Sequence, residues 1–121
     1  MGAFTVRDYR AEDAAAILEI NAANVPEVGD MDASKLGAFA VGAAWLPVVE
    51  VDGEVAAFAV FLTQGADYES PNYRWFSERH ASFFYVDRIA VDATCRGVGI
   101  GQALYREAVS RARAGAHPVF C

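Results

Sequence analysis

Cysteine is scarce in this 121-residue chain, which contains only Cys95 and Cys121. Two cysteines form at most one bridge, so the secreted scaffolds that depend on several disulfides are excluded. The longest apolar run, Val55 to Leu62, is too short to cross a bilayer. The N-terminus also lacks the basic and then apolar segments of a secretory signal. These absences predict a cytoplasmic protein that does not act in or at a membrane.

Positive charge is also in short supply, since 10 Lys and Arg residues face 16 Asp and Glu residues, for a net charge of −6. This balance argues against nucleic acid as a partner. Residues 1–69 carry three basic and twelve acidic side chains, whereas residues 70–121 carry seven basic and four acidic ones. The second segment therefore suits a phosphate-bearing ligand, with chance segregation as the alternative. The two histidines, His80 and His117, are far apart in sequence and have too few cysteines or carboxylates near them to predict a metal site.

The order of predicted elements describes one domain. Asp52-Gly53 between two apolar runs predicts a tight hairpin, and the continuous apolar run after it predicts a central strand covered on both faces. Gln64 to Ser82 is interpreted as a long connection without regular structure. The predicted elements are a strand at Phe4–Arg7, helices at about Glu12–Asn24 and Asp32–Ala44, strands at Leu46–Val51, Glu54–Leu62 and Tyr85–Asp92, a helix at Gln102–Ala114 and a strand at His117–Cys121.

Three glycines, Gly97, Gly99 and Gly101, separate the Tyr85–Asp92 strand from the last helix. Glycine lets a ligand approach the backbone closely, and the first amides of a helix have no partner inside it. This combination predicts a phosphate or pyrophosphate site, with a ligand-free turn as the alternative. A P-loop is excluded because Gln102 stands where its lysine would be, and a dinucleotide-binding loop would need a glycine there.

The segment Asp-Arg-Ile-Ala-Val-Asp followed by Arg96-x-x-Gly99-x-Gly101 resembles the acetyl-coenzyme A loop of the GCN5-related N-acetyltransferases, the GNAT superfamily. The order of elements is similar too. The resemblance implies an α/β (α+β) fold, a mixed central sheet with helices on both faces. The family's last helix and closing strands would follow Cys121, so the chain is expected to be one incomplete domain. The Asp-Tyr-x-Ser-Pro-Asn-Tyr segment from Asp67 also resembles a bacterial subgroup of such acetyltransferases.

The resemblance implies acetyl-coenzyme A as the co-substrate and assigns residues to it. The strand residues are expected to pair with the pantetheine arm and the loop amides to hold the pyrophosphate. The Arg96 side chain either adds charge at the phosphates or is a solvated loop arginine. The implied binding residues are Ile89, Ala90, Val91, Arg96, Gly97, Val98, Gly99, Ile100 and Gly101.

The expected reaction is direct transfer of an acetyl group to a primary amine of a small or amino-acid-like acceptor. The catalytic candidates are Asp87 as the base and Tyr85, which shares its strand face two residues away. Alternatively, Asp87 pairs with Arg88 or a backbone amide, and a water chain removes the proton. A nucleophilic Cys95 is less favoured because no histidine lies near it in sequence. The second hypothesis is a coenzyme A-binding module without catalysis, and an open sheet edge predicts a homodimer.

Two further segments leave alternatives open. The aromatic residues of the 67–76 segment either wall an acceptor pocket, with Asp67 or Glu69 meeting an ammonium group, or cover a sheet edge, or form a dimer contact. The acidic connection that contains Glu27, Asp30 and Asp32 either favours a cationic acceptor or is simply solvated.

Overall fold

The computed structural model describes residues 4–66, 68, 70–115 and 119–120 of the chain. Within these residues the predicted strands and helices are all present, with ends shifted by a few positions. The predicted helical stripe at the C-terminal end is confirmed, because its members are buried at four-residue spacing from Ile100 to Ala112. The elements are β1 Thr5–Asp8, α1 Ala14–Ala23, α2 Ala33–Gly42, β2 Pro47–Val51, β3 Glu54–Thr63, α3 Pro71–Arg79, β4 Phe83–Val91, α4 Ile100–Ala114 and β5 Val119–Phe120.

The strands form one sheet in the order β1-β2-β3-β4-β5. Strands β1 to β4 are antiparallel, and β5 runs parallel to β4 after the crossover through α4. Asp52 and Gly53 both have positive φ, 53° and 79°, which is the backbone of the two-residue hairpin turn. The prediction of a mixed sheet is confirmed.

Helices cover both faces of the sheet, as predicted. On one face, α1 and α2 pack against β3 through a cluster that includes Ile17, Leu36 and Phe58. On the other face, α4 packs through Leu104 and Ala108. The central position of β3 explains its continuous apolar run, because each of its residues from 56 to 62 is buried.

A β-bulge interrupts the alternation of β4. Phe61 of β3 pairs with Val86 and Val60 pairs with Arg88, so Asp87 is the extra residue on the β4 side. A bulge places two successive residues opposite one and re-aims their side chains. Asp87 and Arg88 consequently project to the same face, the one covered by α1 and α2, where their side chains meet.

The prediction of an irregular connection at Gln64–Ser82 is wrong, because the segment contains α3. Ser70 is its N-cap, accepting a hydrogen bond from the Tyr73 amide at 3.5 Å, and Pro71 occupies the first turn. Tyr73 and Phe76, three residues apart, pack on Phe83 of the sheet. These aromatic residues thus cover the face of the sheet rather than its edge. The Ser-Pro pair was the signal for this helix.

Candidate active site

The loop after β4 is shaped by the positive φ angles of two glycines. The Asp92 carboxylate accepts hydrogen bonds from the amide and the hydroxyl of Thr94, at 2.9 and 2.7 Å, which turns the chain out of the strand. These bonds lower the pKa of Asp92. Gly97 and Gly99 then adopt φ values of 89° and 87°, where other residues are strained. The helix α4 therefore starts immediately beside the end of β4.

The first amides of α4 are uncapped within the described residues. Gly99 is the N-cap and has no side chain to offer, and the first bond inside the helix runs from the Ala103 amide to the Gly99 carbonyl, at 3.0 Å. The residues before Ala103 line a hollow of about 430 Å³, together with Arg96, Gly97 and others. A Cβ atom at any of the three glycines would meet open space. Free amides at a helix N-terminus form a site for an anion.

One edge of β4 lies open beside this loop. The amide of Asp92 donates to the carbonyl of Ala56 at 2.7 Å, so this residue faces β3. Backbone groups alternate between the two edges of a strand, which turns those of Ile89 and Val91 away from β3. The described residues of β5 pair only with Phe83 and Phe84. Among the described residues, no strand pairs with the rest of this edge, so an extended ligand can pair there.

Asp87 lies in a buried polar network at the bulge. Its side chain is 5% exposed, and it accepts hydrogen bonds from Arg88 Nε at 2.7 Å and from the Tyr68 hydroxyl at 2.5 Å. Arg88 Nη1 donates in turn to Asn21 Oδ1 at 2.9 Å and to the Gly29 carbonyl at 2.8 Å. Burial, and then the bond to Asp87, raise the pKa of Tyr68 above its ordinary value. The network joins α1, the α1–α2 connection and β4.

A sequence model of the Acetyltransferase (GNAT) family matches residues 14–120. The chain belongs to the GNAT acetyltransferase family. A search of curated proteins gave no match.

Solved structures agree on the GNAT fold. A transcriptional regulator from Bacillus halodurans C-125 superposes with a TM-score of 0.71 at 16% identity, over 98% of this chain and 79% of that one. An aminoglycoside 6′-N-acetyltransferase from Acinetobacter haemolyticus gives 0.69 at 16% identity, over 96% and 76%. N-acetylglutamate synthase from Neisseria gonorrhoeae, solved with coenzyme A and N-acetyl-glutamate, gives 0.68 at 14% identity, over 94% and 23%. At these identities the likeness shows the fold alone.

Members of the GNAT family use acetyl-coenzyme A, and the residues of this chain fit that group. The uncapped amides and the hollow suit a diphosphate, and the open edge of β4 suits the amide-bearing arm. Arg96 lies at the hollow, with Nη2 2.7 Å from Asn24 Oδ1. It is therefore not simply solvated, although its side chain is exposed.

The remaining predicted residues of this GNAT domain lie in different surroundings. Tyr85 shares a face with Asp87, as predicted, but it is buried beneath Tyr73 and Phe76. The sulfur of Cys95 lies 3.7 Å from the Thr94 hydroxyl, its hydrogen-bonding neighbour among the described residues. The predicted roles of Asp67, Glu69, His117 and Cys121 fall on residues outside the described ranges.

Sequence reasoning missed the side chains that connect the GNAT core elements. Asn21 and Asn24 lie three residues apart near the end of α1, and both reach β4 or its loop across the sheet. Two asparagines near the end of a helix whose one charged residue is Glu19 were the only signal. No sequence pattern indicates that the Tyr68 hydroxyl bonds Asp87, because the two residues are 19 positions apart in different elements.

Two kinds of feature are absent among the residues that the structure describes. No group of three His, Cys, Asp or Glu side chains could hold a metal ion there. None of the helices in that part of the chain is long and apolar enough to span a bilayer.

Proposed function

We propose that this chain is an acetyl-coenzyme A-dependent N-acetyltransferase that acetylates the primary amine of a small or amino-acid-like acceptor by direct transfer. One observation carries the proposal. Gly97, Gly99 and Gly101 line a hollow beside the edge of β4, and no described side chain caps the first amides of α4 there. An anionic head and an extended arm can therefore be bound side by side.

Acetyl-coenzyme A supplies the acetyl thioester when it is bound. The amides from Arg96 to Gly101 would hold its diphosphate, and the backbone of Ile89, Ala90 and Val91 would align its arm. Asp87 lies four positions before Val91, about 13 Å along the strand, so the bulge is at the far end of that edge. Asp87 would take the proton of the amine, directly or through water, and Arg88 would stabilise the charge of the carboxylate before transfer.

The contacts of Asp87 also support a second candidate function, a GNAT domain that binds coenzyme A without catalysis. Both carboxylate oxygens already accept hydrogen bonds, from Tyr68 and Arg88. An amine can therefore reach an oxygen of Asp87 only where one of these two hydrogen bonds is released. The two functions share the coenzyme site and differ in turnover.

Two measurements test the shared coenzyme site and the turnover in which the functions differ. Acetyl-coenzyme A at 100 times its dissociation constant should stabilise the fold by about 2.7 kcal/mol in thermal unfolding. Release of the free coenzyme A thiol is then followed with a panel of primary amines and amino acids. Asp87→Asn should abolish turnover and keep binding, whereas Asp52→Asn, which changes an exposed carboxylate in the hairpin turn between β2 and β3, should change neither.

The outcomes are distinct. Binding without turnover on any amine supports the non-catalytic module. Turnover that survives Asp87→Asn assigns the proton to another acceptor. The absence of any shift with acetyl-coenzyme A contradicts both functions.

A further inference from the structure

The Asn24 side chain connects three segments that meet at the coenzyme site. Its Nδ2 donates to the carbonyl of Ile20 at 2.8 Å and to that of Val91 at 3.3 Å, and its Oδ1 accepts from Arg96 Nη2 at 2.7 Å. We infer that Asn24 is a positioning residue for coenzyme A, which holds the Arg96 guanidinium at the hollow. The inference rests on the proposed function, because it deepens the account of the same site.

The orientation of the carboxamide follows from its partners. Carbonyl oxygens only accept hydrogen bonds and a guanidinium only donates them, so a reversed amide would lose all three contacts. Asn24 is also the C-cap of α1, and its bond to the Ile20 carbonyl ties the side chain to the last turn of that helix. The acceptor that meets Arg96 is therefore fixed by a helix packed on the sheet and not by the loop itself.

The segment that contains Arg96 does little to restrict the position of its side chain. It belongs to an exposed turn between a short 3₁₀ turn and the two glycines of positive φ. A free arginine side chain loses considerable rotamer entropy when it is immobilised on a ligand. A guanidinium already held at 2.7 Å has lost part of that freedom before the ligand arrives. Pre-organisation of this kind raises affinity without adding a contact to the ligand.

The Val91 contact gives Asn24 a second connection to the site. The Val91 carbonyl faces the open edge of β4, and a carbonyl oxygen has two lone pairs. One lone pair faces Asn24, and the other stays available to an arm lying along the edge. The Asn24 side chain thus sets the spacing between the edge of β4 and Arg96. It lies 67 residues before Val91 and 72 residues before Arg96 in the sequence.

The test is a double-mutant cycle read by calorimetric titration with coenzyme A. Asn24→Ala and Arg96→Ala should each raise the dissociation constant about tenfold, as expected for the loss of one hydrogen bond to a charged group. If Asn24 acts through Arg96, the double variant should also be weaker by about tenfold rather than a hundredfold. Arg106→Ala removes one exposed positive charge from α4 outside the hollow and should leave the affinity unchanged.

Asn24→Ser protects the experiment against loss of the helix cap. Serine can still bond locally near the end of α1 but is too short to reach Arg96, so it should weaken binding as alanine does while keeping the melting temperature higher. Wild-type affinity in a folded Asn24→Ala or Asn24→Ser variant would overturn the inference, as would a hundredfold effect in the double variant. If the wild-type protein itself does not bind coenzyme A, the proposed function fails and not the coupling alone.

Discussion

Gly101→Ala should make the fold more stable and coenzyme A binding weaker. Gly101 lies in the first turn of α4 at a helical backbone angle, and an added Cβ would meet no atom within 4 Å. Removing a glycine from a helix stabilises it by about 0.5–1 kcal/mol. For a chain of this length, 1 kcal/mol corresponds to about 4 °C, so the melting temperature should rise by about 2–4 °C.

The affinity for coenzyme A should fall in Gly101→Ala, because Gly101 lines the hollow. A methyl group there occupies space that a diphosphate needs if it is to reach the amides, so the dissociation constant should increase tenfold or more, about 1.4 kcal/mol. Gly99→Ala gives the contrasting case. Its φ of 87° makes any L side chain cost roughly 1–2 kcal/mol, and it should lose about 4–8 °C together with binding.

The assay pairs thermal unfolding with titration of coenzyme A on the same preparations. Gly37→Ala is the matched control, since Gly37 lies in α2, where an added Cβ also meets open space, away from the loop. It should raise the melting temperature and leave binding unchanged. If Gly101→Ala behaves like this control, the hollow is a ligand-free turn and the site has been placed wrongly.

Three further predictions concern the buried polar groups. Arg88→Met should cost about 3–5 kcal/mol in urea unfolding, because it leaves the buried Asp87 carboxylate without its cation; wild-type stability would refute the pairing. Tyr73→Phe should cost about 1–3 kcal/mol in the same assay, since its hydroxyl donates to the Thr63 carbonyl and accepts from the Ala66 amide, and no loss would show that α3 docks through its rings alone. The hydrogen bond from Arg7 lowers the pKa of Asp13 in the folded protein. The stability that this carboxylate contributes is therefore complete above about pH 4 and is lost as the pH falls through the lower folded pKa. Asp13→Asn should make the free energy of unfolding fall less steeply with acid, and an unchanged fall would contradict this.

Local signals were enough to predict most elements of the fold. The Asp52-Gly53 turn, the apolar run of β3 and the four-residue spacing in α4 each depend on neighbours in sequence, and each is present as expected. The helix α3 is the exception, because its buried stripe consists of aromatic residues that are also typical of a loop covering a pocket or a sheet edge. The burial of α3 depends on Phe83 and Tyr85, which belong to β4 and not to the helix itself.

The sequence by itself determined the glycine loop, since positive φ and free helix amides follow from residue type and position alone. Only the tertiary structure decided which side chains serve that loop. The bulge turns Asp87 toward Arg88, and the packing of α1 on the sheet brings Asn24 to Arg96. The reason is physical: backbone preferences act over a few residues, whereas a hydrogen bond across 72 residues exists only after both segments have packed on the same sheet.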